Sequence, residues 1–401
     1  MKKNATVNST FKFFLLSRAT RSVSLIFVTL SLPLYLFALN YGIISIGIIY
    51  FVIMTFNALL AILLGAIGDR VGYKKALIIG EVFPIVALAM LAISTNFFVI
   101  IFAAVIGGIA GVAGGMRGVF SPGSTALIAS NWQDQKERIK KVAEMNYVGS
   151  GFAIIGSLLL YSRSFLIGSA GTIGSFRLLF ALSAFLVLVS MFSLFFVEEV
   201  NRPEKTTKIM KTESAKYSLR MMVANFFNGV SLGLALPLLP LWFELKFAVP
   251  ISMIGIIYTM SYIATAMGSY FTAKNAYRAK FSILFIASST RTLQGIMLMV
   301  IAFSPLFFIS SAFFITRSFI AGLGSPSRSV MNMKGVNSQD YGTAFSFIGL
   351  SNRLSQTSTG ITGYLMDISL PVPIILGGLL QTIGGFIYFK VLSPKKNRPY
   401  K

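Results

Sequence analysis

The sequence predicts an all-α polytopic membrane protein with twelve transmembrane helices in two six-helix repeats and both termini in the cytoplasm. Its composition, its long apolar segments and the placement of its charges each point to this fold class. The chain of 401 residues is 55% hydrophobic and only 12% charged, whereas a soluble domain carries about 25% charged residues. Its mean hydropathy is +0.77. A soluble protein of this length could not cover its surface with so little polar material, so most of the surface is expected to face lipid.

Long apolar segments set the number of predicted spans. A helix that crosses the hydrocarbon core needs about 20 predominantly apolar residues. Twelve segments meet this criterion, six before and six after a polar stretch at 198–217. The predicted spans are 22–40, 45–65, 76–94, 97–120, 142–161, 177–197, 218–243, 250–273, 281–303, 305–327, 342–364 and 371–391.

The basic residues give an independent prediction of the topology. With the N-terminus placed inside, most of the 35 Lys and Arg residues fall in inside segments or at their edges, and only Arg163, Arg177 and Lys246 fall in outside segments or at their edges. This bias follows the positive-inside rule and supports an even number of spans. The basic segments are therefore expected to face the cytoplasm and to contact anionic lipid headgroups.

Charge and composition also exclude several function classes. The net charge of +23 could suggest a nucleic-acid-binding protein, but the charges lie in short gaps between apolar segments, so no nucleic acid partner is expected. The chain has neither Cys nor His, so disulfides and thiolate metal sites are excluded and the usual near-neutral proton carrier is missing. We expect no cofactor and no metal. The basic N-terminus is polar over too long a stretch for a cleavable signal peptide and is interpreted as a cytoplasmic tail.

Short matches between the two halves of the chain indicate an internal repeat. IGIIY occurs at 46–50 and again at 254–258, LPL occurs at 32–34 and 239–241, and Ser-Pro at 121–122 recurs at 325–326. The offsets are nearly constant, and the matches occupy corresponding helices. They predict a duplicated six-helix unit with a substrate site between the halves. The predicted domains are a first bundle at 1–197, a linker at 198–217 and a second bundle at 218–401.

The segment GAIGDRVGYKK at 65–75 carries the family resemblance. It lies between spans two and three, and its glycines, Asp69, Arg70 and its two lysines resemble the loop motif of the major facilitator superfamily. The twelve spans, the central linker and the repeat resemble that family over essentially the whole chain. A weaker copy at 268–278 has Thr272 where the first has Asp69.

The resemblance implies a gating role for this loop, which would hold the cytoplasmic side shut in one conformation. The residues that carry the role are Gly65, Asp69, Arg70, Gly72 and Lys74. Glycines allow close approach of two helix ends, and Asp69 is placed to accept from backbone N–H groups at a helix N-terminus. The basic residues could pair with Asp134 or Glu137 of the next cytoplasmic loop. The alternative is that Arg70, Lys74 and Lys75 only set topology.

Ionisable residues within predicted spans are the candidates for substrate binding, because charge inside a membrane is costly. Arg317 and Arg353 lie near the midplane of spans ten and eleven, and Arg117 lies lower in span four. By resemblance to the family, these spans contribute to the central cavity, whereas Arg291 is set aside because span nine is normally peripheral. Arginines without acids favour an anionic ligand. The alternative is that each locks two helices together.

Further polar residues in the spans complete the candidate set. Asn225 and Asn228 in span seven are three residues apart and share a helix face, so they are candidates for the substrate cavity or for bonds between helices. Glu81 in span three and Glu144 in span five are the candidate proton-linked acids.

The expected function is secondary active transport of a small organic solute, with a preference for anions, by alternating access driven by a proton gradient or by exchange. The first alternative is a proton-driven multidrug or metabolite exporter. The second is a non-transporting sensor or lipid-handling protein on the same scaffold. Enzymatic activity is not expected, because no convergent catalytic groups are found. The protein is expected to be a monomer that crosses the plasma membrane several times.

Overall fold

The structure, a computed structural model, describes residues 2–108, 120–132, 135–200, 212–275, 282–336 and 341–393. Every regular element in these ranges is helical, because a backbone in lipid must satisfy its hydrogen bonds within each segment. The α-helices are α1 (Lys2–Ala38), α2 (Ile43–Val71), α3 (Tyr73–Ile93), α4 (Phe97–Gly107), α5 (Phe120–Asn131), α6 (Gln135–Phe195), α7 (Thr212–Ala235), α8 (Leu239–Phe247), α9 (Ile251–Asn275), α10 (Ile283–Phe303), α11 (Phe307–Lys334), α12 (Tyr341–Ser355), α13 (Thr359–Ile368) and α14 (Val372–Leu392).

The helices agree with an all-α polytopic membrane protein. Within the described ranges, eight helices are long and apolar enough to cross a membrane. A ninth span results if α7 and α8, which meet at a bend of 43°, are counted as one. Predicted spans one to three, eight to ten and twelve each correspond to a single helix. The count of twelve and the cytoplasmic position of the termini stay predictions.

The region α6 moves the predicted boundary between spans five and six. The sequence places a loop with Arg163 and Arg177 outside the membrane, but both residues are helical and lie on the two sides of a break within the 61 residues of α6. A straight helix of that length would measure about 90 Å, roughly twice the thickness of a bilayer with its headgroups. The helix is broken at Gly171, whose φ of 70° and ψ of 176° are not helical. The connection between the two spans is thus a kink rather than a loop.

Spans seven and eleven are each divided, and span four is described only in part. In span four, the 11-residue helix α4 ends before 109–119, which lie outside the described residues, and α5 follows. Span seven consists of α7 and α8, and span eleven of α12 and α13 with a 3₁₀ turn at Gln356–Ser358.

The start of α1 is not a simple tail. The predicted cytoplasmic tail is helical from Lys2, and its side chains at Phe11 and Phe14 are buried. The Phe11 ring meets the Trp132 ring edge-on at 5.2 Å between centroids, and Lys141 Nζ lies 4.2 Å from the Phe11 ring. Aromatic side chains so close to the first span explain why the helix continues into the polar part of the sequence.

The helices form two compact units. Unit 1 comprises Met1–Lys208, Leu236–Ile263 and Thr357–Leu370. Unit 2 comprises Ile209–Ala235, Ala264–Gln356 and Pro371–Lys401. In unit 2, a core of buried side chains brings α7, α10, α11, α12 and α14 together. Its members are Met221, Ala224, Ala287, Met331, Ile348, Tyr388 and Leu392.

Candidate functional site

A polar cavity lies inside unit 2. It has a volume of about 280 Å³ and is built by α7, α10, α11 and α12 with the 3₁₀ turn. Its lining residues are Asn225, Asn228, Gly229, Leu232, Arg291, Ser325, Arg328, Ser329, Asn332, Asn352 and Gln356. Nine of these eleven side chains are polar, which is unusual for a surface between helices of a membrane protein, where polar groups mark functional sites.

Two helices present their polar residues to the cavity with the same spacing. On α7, the cavity residues are Asn225 and the positions three, four and seven further along the chain. On α11, Ser325 is followed by cavity residues at the same three intervals. Positions at these intervals share one face of an α-helix. The shared face expected for Asn225 and Asn228 is therefore present and faces the cavity.

Gly229 allows α7 to approach α12 closely. A Cβ atom at this position would collide with the side chain of Ser355. The absence of a side chain brings the α7 backbone against the end of α12, where Asn352 and Gln356 line the cavity. Gly229 thus sets the width of the cavity between these helices.

Arg291 lies in the wall between α10 and α7. Its side chain is buried, its Nη2 donates to Asn225 Oδ1 at 2.6 Å, and its Nη1 donates to the Ala224 carbonyl at 3.4 Å. The guanidinium also lies 4.0 Å from the centre of the Tyr388 ring, a cation–π contact. Its Nε has no hydrogen-bond partner among the described residues. The guanidinium is therefore held firmly but retains donor capacity.

Arg328 lies in the wall formed by α11. Its Nη2 donates to the Ala321 carbonyl at 2.8 Å, and its Nη1 donates to Thr290 Oγ1 at 3.4 Å. Gly324, one turn earlier on α11, makes room for this guanidinium, because a Cβ there would collide with Nη1. An arginine has five N–H donors, so two bonds leave Arg328 able to bind a further acceptor.

The surroundings of the cavity contain little negative charge. The sequence of unit 2 has two carboxylates, Glu213 and Asp340. Glu213 lies exposed in the first turn of α7, and Asp340 lies outside the described residues. The guanidinium groups of Arg291 and Arg328 thus have no carboxylate counter-ion among the described residues of unit 2, so the cavity is electropositive.

Arg317 connects to the cavity indirectly. Its side chain is buried, and its Nη2 donates to Gln381 Oε1 at 3.4 Å. Gln381 Nε2 donates in turn to Asn228 Oδ1 at 3.1 Å. Arg353 is adjacent to the lining residue Asn352 but does not itself line the cavity. Arg117 lies outside the described residues.

Sequence reasoning missed both arginines that line the cavity. Arg291 was set aside because span nine is normally peripheral, and Arg328 was counted as a topology charge in a cytoplasmic segment. The structure places both in the cavity wall. A polar stripe on α11, formed by Ser325, Arg328, Ser329 and Asn332 at helical spacing, is the signal that could have identified Arg328.

The junction of α2 and α3 gives the geometry of the predicted gating loop. Gly65, Asp69 and Arg70 belong to α2, Lys74 belongs to α3, and Gly72 alone separates the two helices. The φ of Gly72 is 112°, a conformation that favours glycine. The predicted loop of eleven residues is therefore a single-residue hinge, and the helices continue through the rest of the motif.

The carboxylate at this junction is Glu199, which follows α6. Its Oε1 accepts from the backbone N–H of Tyr73 at 2.8 Å, and its Oε2 accepts from that of Lys74 at 3.1 Å. Lys74 Nζ donates to the Phe195 carbonyl at 2.7 Å. The expected pairing of the basic residues of this loop with Asp134 or Glu137 stays a prediction, and Asp134 lies outside the described residues. Carboxylates are favourable at helix N-termini, which explains the choice of Glu199.

The two candidate proton-linked acids have different surroundings. Glu81 is fully buried in unit 1, forms an ion pair with Arg21 of α1, and accepts from Ser190 Oγ at 2.9 Å. Glu144 lies at the start of α6 and pairs with Lys141, one turn away, at 3.3 Å. Sequence reasoning counted Arg21 in the N-terminal tail and so missed this buried pair.

The chain was compared with protein families and solved structures. The family described as Major Facilitator Superfamily matches residues 14–360. No curated protein matches the sequence. A solved structure from a study of substrate recognition in proton-dependent oligopeptide transporters is similar to this chain, with a TM-score of 0.74 and 13% identity, covering 96% of this chain and 98% of that chain.

Two further structures show the same fold. A mutant of the nucleoside transporter NupG has a TM-score of 0.70 and 13% identity, covering 96% of this chain and all of that chain. A bacterial homologue of the human lysosomal transporter Spinster has a TM-score of 0.67 and 11% identity, covering 96% and 97%. At these sequence identities, the similarity to the solved structures concerns the fold alone. The match to the family covers most of the sequence. The chain belongs to the major facilitator superfamily.

Proposed function

We propose that this transporter moves a small organic anion across the plasma membrane by alternating access. The observation that carries the proposal is the cavity of unit 2, in which Arg291 and Arg328 contribute two guanidinium groups. The neighbouring described residues provide no carboxylate to neutralise them. Buried charge is costly in a membrane, and a ligand that brings negative charge offsets that cost.

Guanidinium groups suit an anionic ligand because they donate in a planar fork that matches carboxylate and phosphate oxygens. A purely structural role accounts for part of Arg291, which joins α10 to α7 through Asn225 and the Ala224 carbonyl. It leaves the unpartnered Nε unexplained. Both roles are compatible, since a guanidinium that is held by the protein is already oriented for the ligand.

Arg317, Arg353 and Arg117 remain candidates for a wider substrate cavity. The contacts of Arg317 favour an indirect role, because it bonds to Gln381 and reaches the cavity through that side chain. For Arg353 and Arg117, the proposal rests on their predicted depth in the membrane alone.

The proposed mechanism is a rocking movement of the predicted bundles 1–197 and 218–401 around the bound solute. The α2–α3 junction, with Gly65, Asp69, Arg70, Gly72 and Lys74, would act as the cytoplasmic latch. Energy would come from a proton gradient or from exchange, with Glu81 and Glu144 as the candidate acids. The basic cytoplasmic segments would contact anionic lipids, and the protein would act as a monomer.

Flux into reconstituted vesicles tests the proposal. Purified protein would be offered organic anions and neutral solutes of similar size, with and without a pH gradient. We expect uptake of one or more anions, and the variant Arg328→Gln should reduce that uptake about tenfold or more, since a hydrogen bond to a charged group contributes about 1.5–3 kcal/mol. The matched control is Arg220→Gln, because Arg220 is an exposed arginine of α7 in the same unit.

Two outcomes would contradict the proposal. In the first, the transported solutes are exclusively neutral or cationic. In the second, an anion is transported and the rate of Arg328→Gln equals that of the wild type and of the Arg220→Gln control.

A further inference from the structure

The two amide side chains that α7 presents to the cavity are held in a defined orientation. Asn225 Oδ1 accepts from Arg291 Nη2 at 2.6 Å, and Asn228 Oδ1 accepts from Gln381 Nε2 at 3.1 Å. In each amide the oxygen is therefore bound to a donor of the protein. The NH₂ group of each amide, which can only donate, is the part that is left for a ligand.

The orientation of Asn228 depends on a chain of three residues. Arg317 Nη2 can only donate, so it fixes the oxygen of the Gln381 amide on its own side at 3.4 Å. The nitrogen of Gln381 then faces Asn228 and binds its oxygen. An arginine outside the cavity thus decides which end of Asn228 is available inside it.

The wall formed by α7 and α10 is consequently a donor surface. It offers the amide nitrogens of Asn225 and Asn228 beside the guanidinium group of Arg291. Arg328 adds further N–H donors from α11. Such a concentration of donors fits a group that has several acceptor oxygens and no hydrogen to donate, which is the property of a carboxylate or phosphate.

The remaining polar residues of the lining have a different chemistry. They are Ser325, Ser329, Asn332, Asn352 and Gln356, and hydroxyl and amide side chains both donate and accept hydrogen bonds. Groups with this double capacity suit hydroxyl groups of a ligand. Among the eleven lining residues Leu232 is the one large apolar side chain, and no aromatic ring is available for stacking.

The size of the cavity limits the ligand. Its volume of about 280 Å³ lies at the lower limit of sites for drug-sized ligands, which span about 300–1,000 Å³ and are mostly apolar. A large hydrophobic drug suits neither the volume nor the lining.

We propose that the cavity binds a small polyhydroxylated oxyanion, a carboxylated or phosphorylated polyol, with its anionic group against Arg328 and the donors of α7 and α10, and its hydroxyl groups against the serine and amide side chains of α11 and α12. This inference rests on the proposed transport of an organic anion and names the class of that anion. Gln381 is a positioning residue in this scheme, because it acts on the ligand through Asn228.

Binding to the purified full-length protein tests the inference with four probes. Glucose 6-phosphate and gluconate represent the phosphorylated and carboxylated forms, glucose is the neutral polyol, and benzoate is an aromatic anion without hydroxyl groups. Isothermal titration is expected to give binding of at least one of the two hydroxylated anions, about tenfold or more tighter than glucose and benzoate. The stronger of the two identifies the preferred anionic group.

The role of Gln381 is tested by Gln381→Leu, with Gln294→Leu as the matched control. Both glutamines are buried in unit 2, but Gln294 donates to the Thr290 carbonyl of its own helix and does not line the cavity. We expect Gln381→Leu to reduce the preference for the hydroxylated anion over glucose several-fold, and the control to leave that ratio unchanged. General loss of structure would lower both affinities together and leave their ratio intact.

Three outcomes would overturn the inference. If glucose binds as tightly as the hydroxylated anions, the donor surface does not select an oxyanion. If benzoate binds and is transported while both hydroxylated anions fail, the substrate class is wrong but anion transport stands. If none of the three anions binds, the inference is wrong, whereas the proposed anion transport is wrong only if the transported solutes are exclusively neutral or cationic or if Arg328→Gln transports the anion at the wild-type rate.

Discussion

At the scale of single residues, the two units differ in the groups that lie next to their arginines. In unit 2, Arg291 and Arg328 face a cavity without a described carboxylate, which suits a charged ligand. In unit 1, Arg21 is paired with the fully buried Glu81, and Ser190 adds a bond to the same carboxylate. Arg18 lies three residues before Arg21 and is also buried, with its Nε donating to the Met145 carbonyl at 3.3 Å.

The buried pair leads to a prediction about stability. Glu81→Gln should lower the free energy of unfolding by about 3–5 kcal/mol, because it leaves Arg21 buried without a counter-ion and close to Arg18. Thermal unfolding of the purified variant in detergent measures this effect. The double variant Arg21→Met with Glu81→Leu should recover most of the loss, since an apolar replacement of a buried pair is often neutral. A single variant as stable as the wild type would contradict the assigned role.

The residues that share a helix face could be predicted from their spacing in the sequence, whereas the rotation of a helix about its axis could not. Asn225 and Asn228 share a face because three residues make most of a helical turn, and the structure places both in the cavity. Arg291 and Arg328 could not be assigned in this way. Depth in the membrane can be read from position along a helix, but the direction of a side chain depends on which neighbour the helix packs against.

At the scale of elements, the α2–α3 junction shows how one residue can join two helices. Gly72 ends α2 and begins α3 with a φ of 112°, and a Cβ at this position would meet the Glu199 carboxylate. That carboxylate satisfies two of the free N–H groups at the start of α3. The end of α6 is also fastened nearby, because Asn131 Nδ2 donates to the Glu198 carbonyl at 2.7 Å.

The junction gives a prediction about Glu199. Glu199→Gln should destabilise the protein by about 1 kcal/mol, because the neutral amide loses the favourable charge at the helix N-terminus and one of its two acceptors. Differential scanning calorimetry of the purified variant should show a lowered unfolding temperature. Glu198→Gln is the matched control, since the side chain of Glu198 is exposed and its bond to Asn131 uses only the backbone carbonyl. Equal unfolding temperatures for the two variants would refute the cap.

Element boundaries were the less predictable part of the fold. Hydropathy identified the helices, because an apolar run of sufficient length has few alternatives in lipid. It did not place the breaks, since α6 passes through the polar residues around Arg163 and bends at Gly171. Arg163 is buried there, with Nη2 donating to the Thr172 carbonyl at 3.0 Å and its guanidinium 3.9 Å from the Phe176 ring. Local contacts of this kind let a helix retain a charge that the sequence assigns to a loop.

At the scale of the whole molecule, membership of the major facilitator superfamily makes the chain a membrane transporter and leaves its cycle to be tested. The proposed cycle requires the cytoplasmic side to open and close, and the weaker copy of the motif at 268–278 has Thr272 in place of an acid. In the structure, Thr272 Oγ1 donates to the Leu323 carbonyl at 2.9 Å within unit 2. A hydroxyl can bond to a backbone carbonyl of a neighbouring helix in this way, but it carries no charge. We therefore expect the latch to be asymmetric between the two copies of the motif.

The final prediction concerns this asymmetry. Asp69→Asn should reduce transport about tenfold or more while membrane insertion and yield stay at the wild-type level, because the carboxylate is expected to hold a helix N-terminus in only one of the two conformations, and a charged hydrogen bond contributes about 1.5–3 kcal/mol. Thr272→Val, which removes the side-chain group at the corresponding position of the second copy, should have a much smaller effect. Flux into vesicles that contain equal amounts of each protein measures both. Wild-type flux in Asp69→Asn would refute the latch, and equal losses in the two variants would refute its asymmetry.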